Sequence, residues 1–379
     1  MTTFDAPLIV LAAGGTGGHV FPADSLASEL SSRGCRLALV TDRRGDAYGG
    51  SLGEIETHRI LAGGIAGKGP IAKIRSLIEL GIGTLQARSL LKRLRPAAVV
   101  GFGGYASVPT MVAATLAKFP TVLHEQNAVL GRANRLLASR VARIATSFKS
   151  TKSIPGEALD KVVHTGMPVR PTILAMHDTK YPDLNSTREI NLLIMGGSQG
   201  ARVLSDVLPE ALGQLSDDLR RRLRVTQQCR TEDVERTRAV YEIMGVSADV
   251  DSFFDDIPER LAATHLLIGR SGASTVAEAI TVGRPSILVP YPHAIDDHQS
   301  ENAHAVDEVG GGWLIPEDAF TPETLAARLS ELFSMPAALE KAASCAKTAG
   351  RADAAHQLAD TVLGLLPGNG GNEMRRQAA

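Results

Sequence analysis

Leu8-Ile-Val-Leu-Ala-Ala-Gly14-Gly-Thr-Gly-Gly-His19 is an apolar run that breaks into a glycine-rich loop, and the amphipathic stretch 21–30 follows it. The same order returns in Ile190-Asn-Leu-Leu-Ile-Met-Gly196-Gly-Ser-Gln-Gly-Ala-Arg202, which leads into the helical pattern 203–215. Buried parallel strands read as apolar runs, and open α/β sheets bind ligands at the turns that leave the carboxyl ends of such strands. Glycine lets backbone N–H groups approach a phosphate there, and the following helix N-terminus adds favourable partial charge. Two such turns imply two Rossmann-like halves facing one diphosphate-bearing substrate, the layout of a nucleotide-sugar transferase. The competing reading is a pair of tight turns whose glycines only permit close helix packing.

Working outward, apolar runs with strand character recur at 8–12, 37–40, 98–100, 121–123 and 143–146, with helical patterns between them. This is the signature of βαβ units in a parallel sheet. Regular structure ends at His164-Thr-Gly-Met-Pro-Val-Arg-Pro171, and the polar stretch 177–189 reads as an exposed connection. The alternation resumes with strands at 192–195, 224–227, 266–268 and 286–289, and after Gly310-Gly-Gly the pattern is helical to about Leu366. The expected domains are 1–168 and 169–349, with the final helices, about 350–366, free to return across the first. The polar, glycine-rich tail 367–379 is expected to be disordered. Gly81 and Gly83 are expected to interrupt any long helix in their stretch.

A chain of 379 residues exceeds the size of a single ordinary core, which favours two domains. Hydrophobic content of 44% and charged content of 21% are those of a soluble globular protein. A formal net charge of -1 and an aromatic content of 4% argue against a dedicated nucleic-acid binder. Cys35, Cys229 and Cys345 are widely spaced and form no CxxC pair, so neither a disulfide framework nor a zinc site is indicated. No Lys or Arg precedes the first apolar run, which reads as a sheet strand and not as a signal peptide. No segment is long and apolar enough to span a bilayer, so membrane contact is expected to be peripheral.

The first loop fails two familiar patterns. A G-x-G-x-x-G begun at Gly15 finds Gly17 but ends on Val20, and His19 stands where a Walker A loop needs Lys. Asp42, after the second strand, would suit an NAD ribose and keeps a dehydrogenase as a distant alternative. A third glycine loop, Gly101-Phe-Gly-Gly-Tyr-Ala-Ser107, offers the first domain a second anion site. The densest constellation is Arg270-Ser-Gly-Ala-Ser-Thr-Val-Ala-Glu278. Ser274 and Thr275 are expected to cap a helix, with Glu278 one turn inside it, where a carboxylate accepts both hydroxyls of a ribose. His293, Asp296, Asp297 and His298 invite a metal reading, but their spacing is irregular and His124-Glu-Gln-Asn127 lacks the second His of HExxH. No protein-held metal is expected.

Together these residues resemble the MurG family of peptidoglycan N-acetylglucosaminyltransferases. The matching motifs cover 14–19, 101–109, 124–127, 166–171, 196–202, 270–278 and 298–303, in the family's order. The resemblance implies a GT-B fold, α/β, with two Rossmann-like domains facing a cleft and the nucleotide held by the second. It implies inverting transfer of GlcNAc from UDP-GlcNAc to the 4-hydroxyl of the muramoyl sugar of lipid I, without a cofactor. Carried over residue by residue, Thr16, Gly17 and Gly18 approach the donor diphosphate, Asn127 and Gln299 bind GlcNAc hydroxyls, and Ser198 holds a donor phosphate. Arg170 joins the donor site, Glu278 clamps the ribose with Ala273, Ser274 and Thr275 alongside, and Phe254 lies beside the uracil. Gly103, Gly104 and Tyr105 face the acceptor diphosphate. Phe254 and Gln227-Gln-Cys229-Arg230 depart from the family pattern, the latter by lacking the small residue and Gly often found there. The resemblance also implies an anionic membrane surface on the cytoplasmic face of the bacterial inner membrane, and leaves room for partners from cell-wall synthesis or division.

The chemistry needs a base for the acceptor hydroxyl and charge stabilisation for the leaving UDP. His19 is the candidate base, with a loop-ordering role as its alternative, and Glu125 is held in reserve. Ile71, Ile74 and Ile78 recur at helical spacing near Lys73 and Arg75. Such a face suits acyl chains with its cations on headgroups, or alternatively a protein core.

Overall fold

A computed structural model describes residues 6–15, 17–42, 50–63, 70–184, 189–197 and 200–367, without the side chains of 70–73. Thr16, Ser198 and the tail from Gly368 onward lie outside the described residues. The chain divides into two compact units, Met1–Arg170 with Asp353–Ala379 (unit 1) and Pro171–Ala352 (unit 2).

Unit 1 opens with β1 (Leu8–Ala12), α1 (Gly17–Ser32), β2 (Arg36–Thr41) and β3 (Glu56–Arg59). There follow α2 (Pro70–Leu94), β4 (Ala98–Gly101), α3 (Gly104–Leu116), β5 (Thr121–Glu125), α4 (Arg132–Leu137), β6 (Arg143–Thr146) and β7 (Val162–His164). The strands form one sheet in the order β3-β2-β1-β4-β5-β6-β7, and every neighbouring pair is parallel. Chain order reverses between β1 and β4, which sets the β1–α1 and β4–α3 turns side by side at the carboxyl edge. Side chains alternate across the sheet, as the strand period requires. Ile9 and Leu11 pack with Leu26 and Leu30 of α1, whereas Val10 and Ala12 pack with Leu91 of α2 and Met111 of α3.

Unit 2 contains α5 (Pro171–Leu174), β8 (Ile190–Met195), α6 (Arg202–Gly213), α7 (Asp217–Arg222), β9 (Leu223–Gln228), α8 (Val234–Ile243) and β10 (Ser247–Asp251). It continues through α9 (Ile257–Ala263), β11 (Leu266–Gly269), α10 (Ala273–Val282), β12 (Ser286–Leu288), α11 (His298–Glu308), β13 (Gly312–Leu314), α12 (Pro322–Ser334) and α13 (Pro336–Ala349). Its strands run in the order β10-β9-β8-β11-β12-β13, again all parallel. The reversal falls between β8 and β11, the strands that lead into the second glycine loop and the 270–278 motif. The chain then re-enters unit 1 as α14 (Ala354–Leu363), which packs on α1 and buries Leu358, Ala359 and Val362 in the same core cluster as Ile9 and Leu26.

Three expectations change. The stretch after Gly310 begins with a strand, β13, before the helices. Strands β3, β7 and β10 also lack the apolar run that marked the others, because they are half-exposed or lie at a sheet edge. Gly81 and Gly83 do not interrupt α2, which runs unbroken for 25 residues. A Cβ at Gly83 would fall 1.8 Å from Leu61 O, so this glycine lets the connection after β3 lie directly against the helix. Close backbone packing repays the roughly 0.5–1 kcal/mol that a glycine costs within a helix.

Candidate active site

In unit 1 the switch-point turns are built around His19, which stands in the first turn of α1. Its ring fits against the β4–α3 turn: a Cβ on Gly103 would meet the ring at 3.4 Å and one on Gly104 at 3.2 Å. Both glycines also hold left-handed φ values, 80° and 69°, so the turn requires them for conformation as well as space. Nδ1 of His19 lies 3.2 Å from Gln126 Oε1. The Gln126 amide nitrogen donates to Phe102 O at 2.8 Å and contacts His124 Nδ1 at 3.0 Å. His124 is fully buried, and Nε2 points at Gly166 O, 3.4 Å away. Desolvation pulls its pKa down to about 4, against the opposing pull of the Gly166 hydrogen bond.

Glu125 is buried at the end of β5, and its carboxylate is engaged by the segment that follows. It accepts hydrogen bonds from Gly131 N at 2.8 Å, Asn134 Nδ2 at 2.8 Å, Asn127 N at 3.1 Å and Asn127 Nδ2 at 3.3 Å. The carboxylate thus fastens the β5–α4 connection and orients Asn127. Gly17 and Gly18 are the first two residues of α1, and Tyr105 is half-buried in the first turn of α3. Arg170 lies with its guanidinium 5.0 Å over the Phe21 ring of α1, a cation–π contact that brings it to the same helix as His19.

In unit 2 the 270–278 and 298–303 motifs come together through hydrogen bonds. Ser271 Oγ donates to Gln299 O at 2.8 Å, Asn302 Nδ2 donates to Ser271 O at 3.0 Å, and Gln299 Oε1 accepts from Tyr291 N at 3.0 Å. Arg270 is buried, pairs with Glu317, and donates to Pro290 O at 3.0 Å and Val289 O at 3.2 Å. Before α11 the backbone turns through two successive left-handed residues, Asp296 at φ 54° and Asp297 at φ 52°. Such conformations collect at ligand-binding sites.

The capping expectation for Ser274 and Thr275 is corrected. Gly272, in extended conformation, is the N-cap of α10, and no side chain caps it. Both residues therefore lie inside the first turn, and Glu278 is buried further along the helix than one turn from a cap. Ser274 Oγ is buried without a hydrogen-bond partner among the described residues, beside backbone N–H groups that a helix start leaves unsatisfied. Phe254 lies between β10 and α9, its ring 4.4 Å beneath the guanidinium of Arg260. Arg260 is itself held by Asp249 and Asp256, each at 2.7 Å.

Sequence reasoning assigned no role to Gln126, His124, Ser271 or Asn302. Each stands inside a quoted motif, and only the hydrogen bonds distinguish it. Among the described residues no group of three or more His, Cys, Asp or Glu could hold a metal ion, and no helix is long and apolar enough to cross a membrane. The predicted surface helix is α2. Ile74 is 60% and Ile78 58% exposed, in line with exposed Leu77, Ile82 and Leu85. Arg75 beside them is largely exposed and pairs with Glu79 at 3.0 Å. The side chains of Ile71 and Lys73 lie outside the described set.

Comparison with known proteins supplies two family matches. The glycosyltransferase family 28 N-terminal domain matches residues 9–146 and the glycosyltransferase family 28 C-terminal domain residues 191–358. The chain is 60% identical, over 96% of its length and 98% of the relative's, to the UDP-N-acetylglucosamine--N-acetylmuramyl-(pentapeptide) pyrophosphoryl-undecaprenol N-acetylglucosamine transferase of Paramagnetospirillum magneticum. A relative of the same name from Rhodospirillum rubrum is 59% identical, over 94% of this chain and 92% of its own. Among solved structures, MurG of Acinetobacter baumannii superposes with a TM-score of 0.76 at 29% identity, covering 94% of this chain and 99% of its own.

Proposed function

The chain belongs to glycosyltransferase family 28, in its MurG branch and with the GT-B fold, and on that premise we propose the reaction it performs. The enzyme transfers N-acetylglucosamine from UDP-N-acetylglucosamine to the 4-hydroxyl of the muramoyl sugar of lipid I, forming lipid II for peptidoglycan. The observation that carries this reading is the 60% identity, across nearly the whole of both chains, to a relative bearing that activity in its name.

In this reading unit 2 holds the nucleotide. Glu278 accepts the ribose hydroxyls, Ala273, Ser274 and Thr275 at the start of α10 face the donor, and Ser198 binds a phosphate. The Ser274 hydroxyl, without a partner among the described residues, and the α10 N-terminus suit a ligand with acceptor oxygens. The packed Phe254 ring leaves its backbone to meet the uracil. Gln299 and Asn127 bind sugar hydroxyls, and Thr16, Gly17, Gly18 and Arg170 approach the donor from unit 1. Gly103, Gly104 and Tyr105 receive the acceptor diphosphate.

The acceptor oxygen attacks the anomeric carbon from the face opposite UDP. A bond forms there as the bond to the β-phosphate oxygen breaks, so an α-linked donor gives a β-linked product. The hydroxyl proton passes to His19, a side chain suited to general-base work near neutral pH. Glu125 is the weaker candidate, since its carboxylate is already occupied by four N–H contacts. Backbone donors and helix N-termini stabilise the departing diphosphate without a tightly held metal.

The lipid acceptor requires a membrane-facing surface. The exposed apolar side of α2, with Arg75 beside it, supports peripheral contact with anionic lipid on the cytoplasmic face of the inner membrane. Incubation with radiolabelled UDP-N-acetylglucosamine and a lipid I analogue should yield labelled lipid II. Absence of transfer by folded protein would overturn the assignment.

A further inference from the structure

Phe102 O and His124 O are carbonyl oxygens and can only accept, so the Gln126 atom 2.8 Å from the first and 3.3 Å from the second is the amide nitrogen. Gln126 Oε1 consequently faces His19 and meets Nδ1 at 3.2 Å. An oxygen there needs a donor, which places the proton of the neutral imidazole on Nδ1 and its lone pair on Nε2. Nε2 lies on the Gly104 side of the ring, 3.3 Å from where a Cβ of that residue would stand.

The inner end of the chain fixes the amide a second time. The same nitrogen lies 3.0 Å from His124 Nδ1, which must therefore accept, leaving the His124 proton on Nε2 for Gly166 O at 3.4 Å. A protonated His124 would set two donors against each other. Full burial keeps it neutral down to about pH 4. Turning the amide over would press its oxygen against Phe102 O and lose the bond to His124.

We propose that Gln126 is a positioning residue for glycosyl transfer: its side-chain oxygen holds His19 as the Nδ1–H tautomer, so that Nε2 is the atom that takes the acceptor proton, and buried His124 prevents the amide from reversing. This rests on His19 as the base. Among the described residues, β5 carries the ionisable groups His124 and Glu125 and α3 carries Tyr105, while Arg170 lies over Phe21 on the helix of His19 itself.

Three variants and one spectrum test it. Gln126→Met removes the acceptor and should lower kcat roughly 10- to 10³-fold, while the UDP-N-acetylglucosamine KM moves less than about threefold. Gln126→Glu keeps an oxygen for Nδ1 of His19 but gives up the donor to Phe102 O and His124, so it should recover only part of that loss. It should also move the acid limb of the pH–rate profile upward by about one unit, since a carboxylate favours the imidazolium. Equal losses in both variants, with the acid limb unmoved, would make Gln126 merely structural and overturn the proposal. Near-wild-type kcat in His19→Ala would overturn the base reading itself. A large loss in His19→Ala with Gln126→Met unaffected would overturn the positioning role alone. Should the Met variant fail to fold, ¹⁵N NMR of the histidine-labelled wild-type protein decides: a protonated Nδ1 and a bare Nε2 on His19 are expected, and the reverse assignment refutes the proposal.

Discussion

Unit 1 and unit 2 use the same place, the carboxyl edge of a parallel sheet where strand order reverses, but they furnish it with different side chains. At the β1–β4 reversal the hydrogen-bonded chain is His19, Gln126 and His124, groups that can be neutral, backed by glycine backbone. At the β8–β11 reversal the buried side chains are Arg270 and Glu278, and Arg270 is anchored by Glu317 and two carbonyls. A proton-transfer group must change charge near neutral pH, whereas a group that holds a substrate is better when its charge is constant. On the proposed reading one topology accommodates two tasks, and the side chains at the switch point divide them.

The largest effect that would break this division concerns His19. His19→Ala should reduce kcat by roughly 10²–10⁴ with little change in donor affinity, because general-base catalysis acts on the barrier. The acid limb of the pH–rate profile should flatten with it. If donor affinity falls in step with rate and the limb survives, His19 orders its loop instead of taking the proton, and the contrast with unit 2 disappears.

Glu278→Ala should show the complementary pattern. Loss of charge-assisted hydrogen bonds to the ribose, roughly 1.5–3 kcal/mol, corresponds to roughly 10- to 150-fold weaker UDP-N-acetylglucosamine binding by calorimetry. Unchanged affinity would remove Glu278 from the ribose.

A smaller effect sharpens the comparison from outside the site. Replacing Ile74 and Ile78 by Ser should weaken binding to anionic liposomes roughly tenfold while UDP affinity is retained, because two exposed apolar side chains on unit 1 no longer enter the lipid. Equal liposome binding by the folded double variant would assign membrane contact elsewhere.

Acid sensitivity should be common to both units. His124 in unit 1 and His265 in unit 2 are each held to a pKa of about 4, chiefly by desolvation. Their folded values lie below the ordinary 6.5, so the unfolded chain takes up protons first. The stability they allow is complete above about pH 6.5 and is lost as pH falls through about 4. Calorimetric melting from pH 7 downward should show a progressive fall in Tm across that window, and a flat profile would contradict the buried neutral state. The smallest expected effect is that of a chelator: turnover should be unchanged, and restoration of lost activity by micromolar divalent cation would count against metal-independent transfer.

The central strands were legible because both their faces are buried, which leaves an apolar run that sequence displays directly. Strands β3 and β10 were not legible, since Glu-Thr-His-Arg and Ser-Ala-Asp-Val-Asp carry the polar residues of a half-exposed edge. Gly83 misled because a glycine can signal either a break or a close approach, and only the position of Leu61 O distinguishes them. At the site, His19 and Glu278 were visible as chemically distinctive residues in glycine-rich motifs. Gln126 carries no such mark. Its significance depends on the two carbonyl oxygens, Phe102 O and His124 O, that lie against its amide nitrogen, a property of the folded backbone around those residues.

The return of α14 to unit 1 has a consequence for the order in which the protein is made. Synthesis proceeds from the N-terminus, so the sheet of unit 1 leaves the ribosome long before Leu358, Ala359 and Val362, which complete the cluster containing Leu26 and Leu30. Unit 2 is continuous in sequence and has all its own residues by Ala352. The unit translated first is therefore the last to be finished, and until α14 arrives the outer apolar side of α1 faces water or a chaperone.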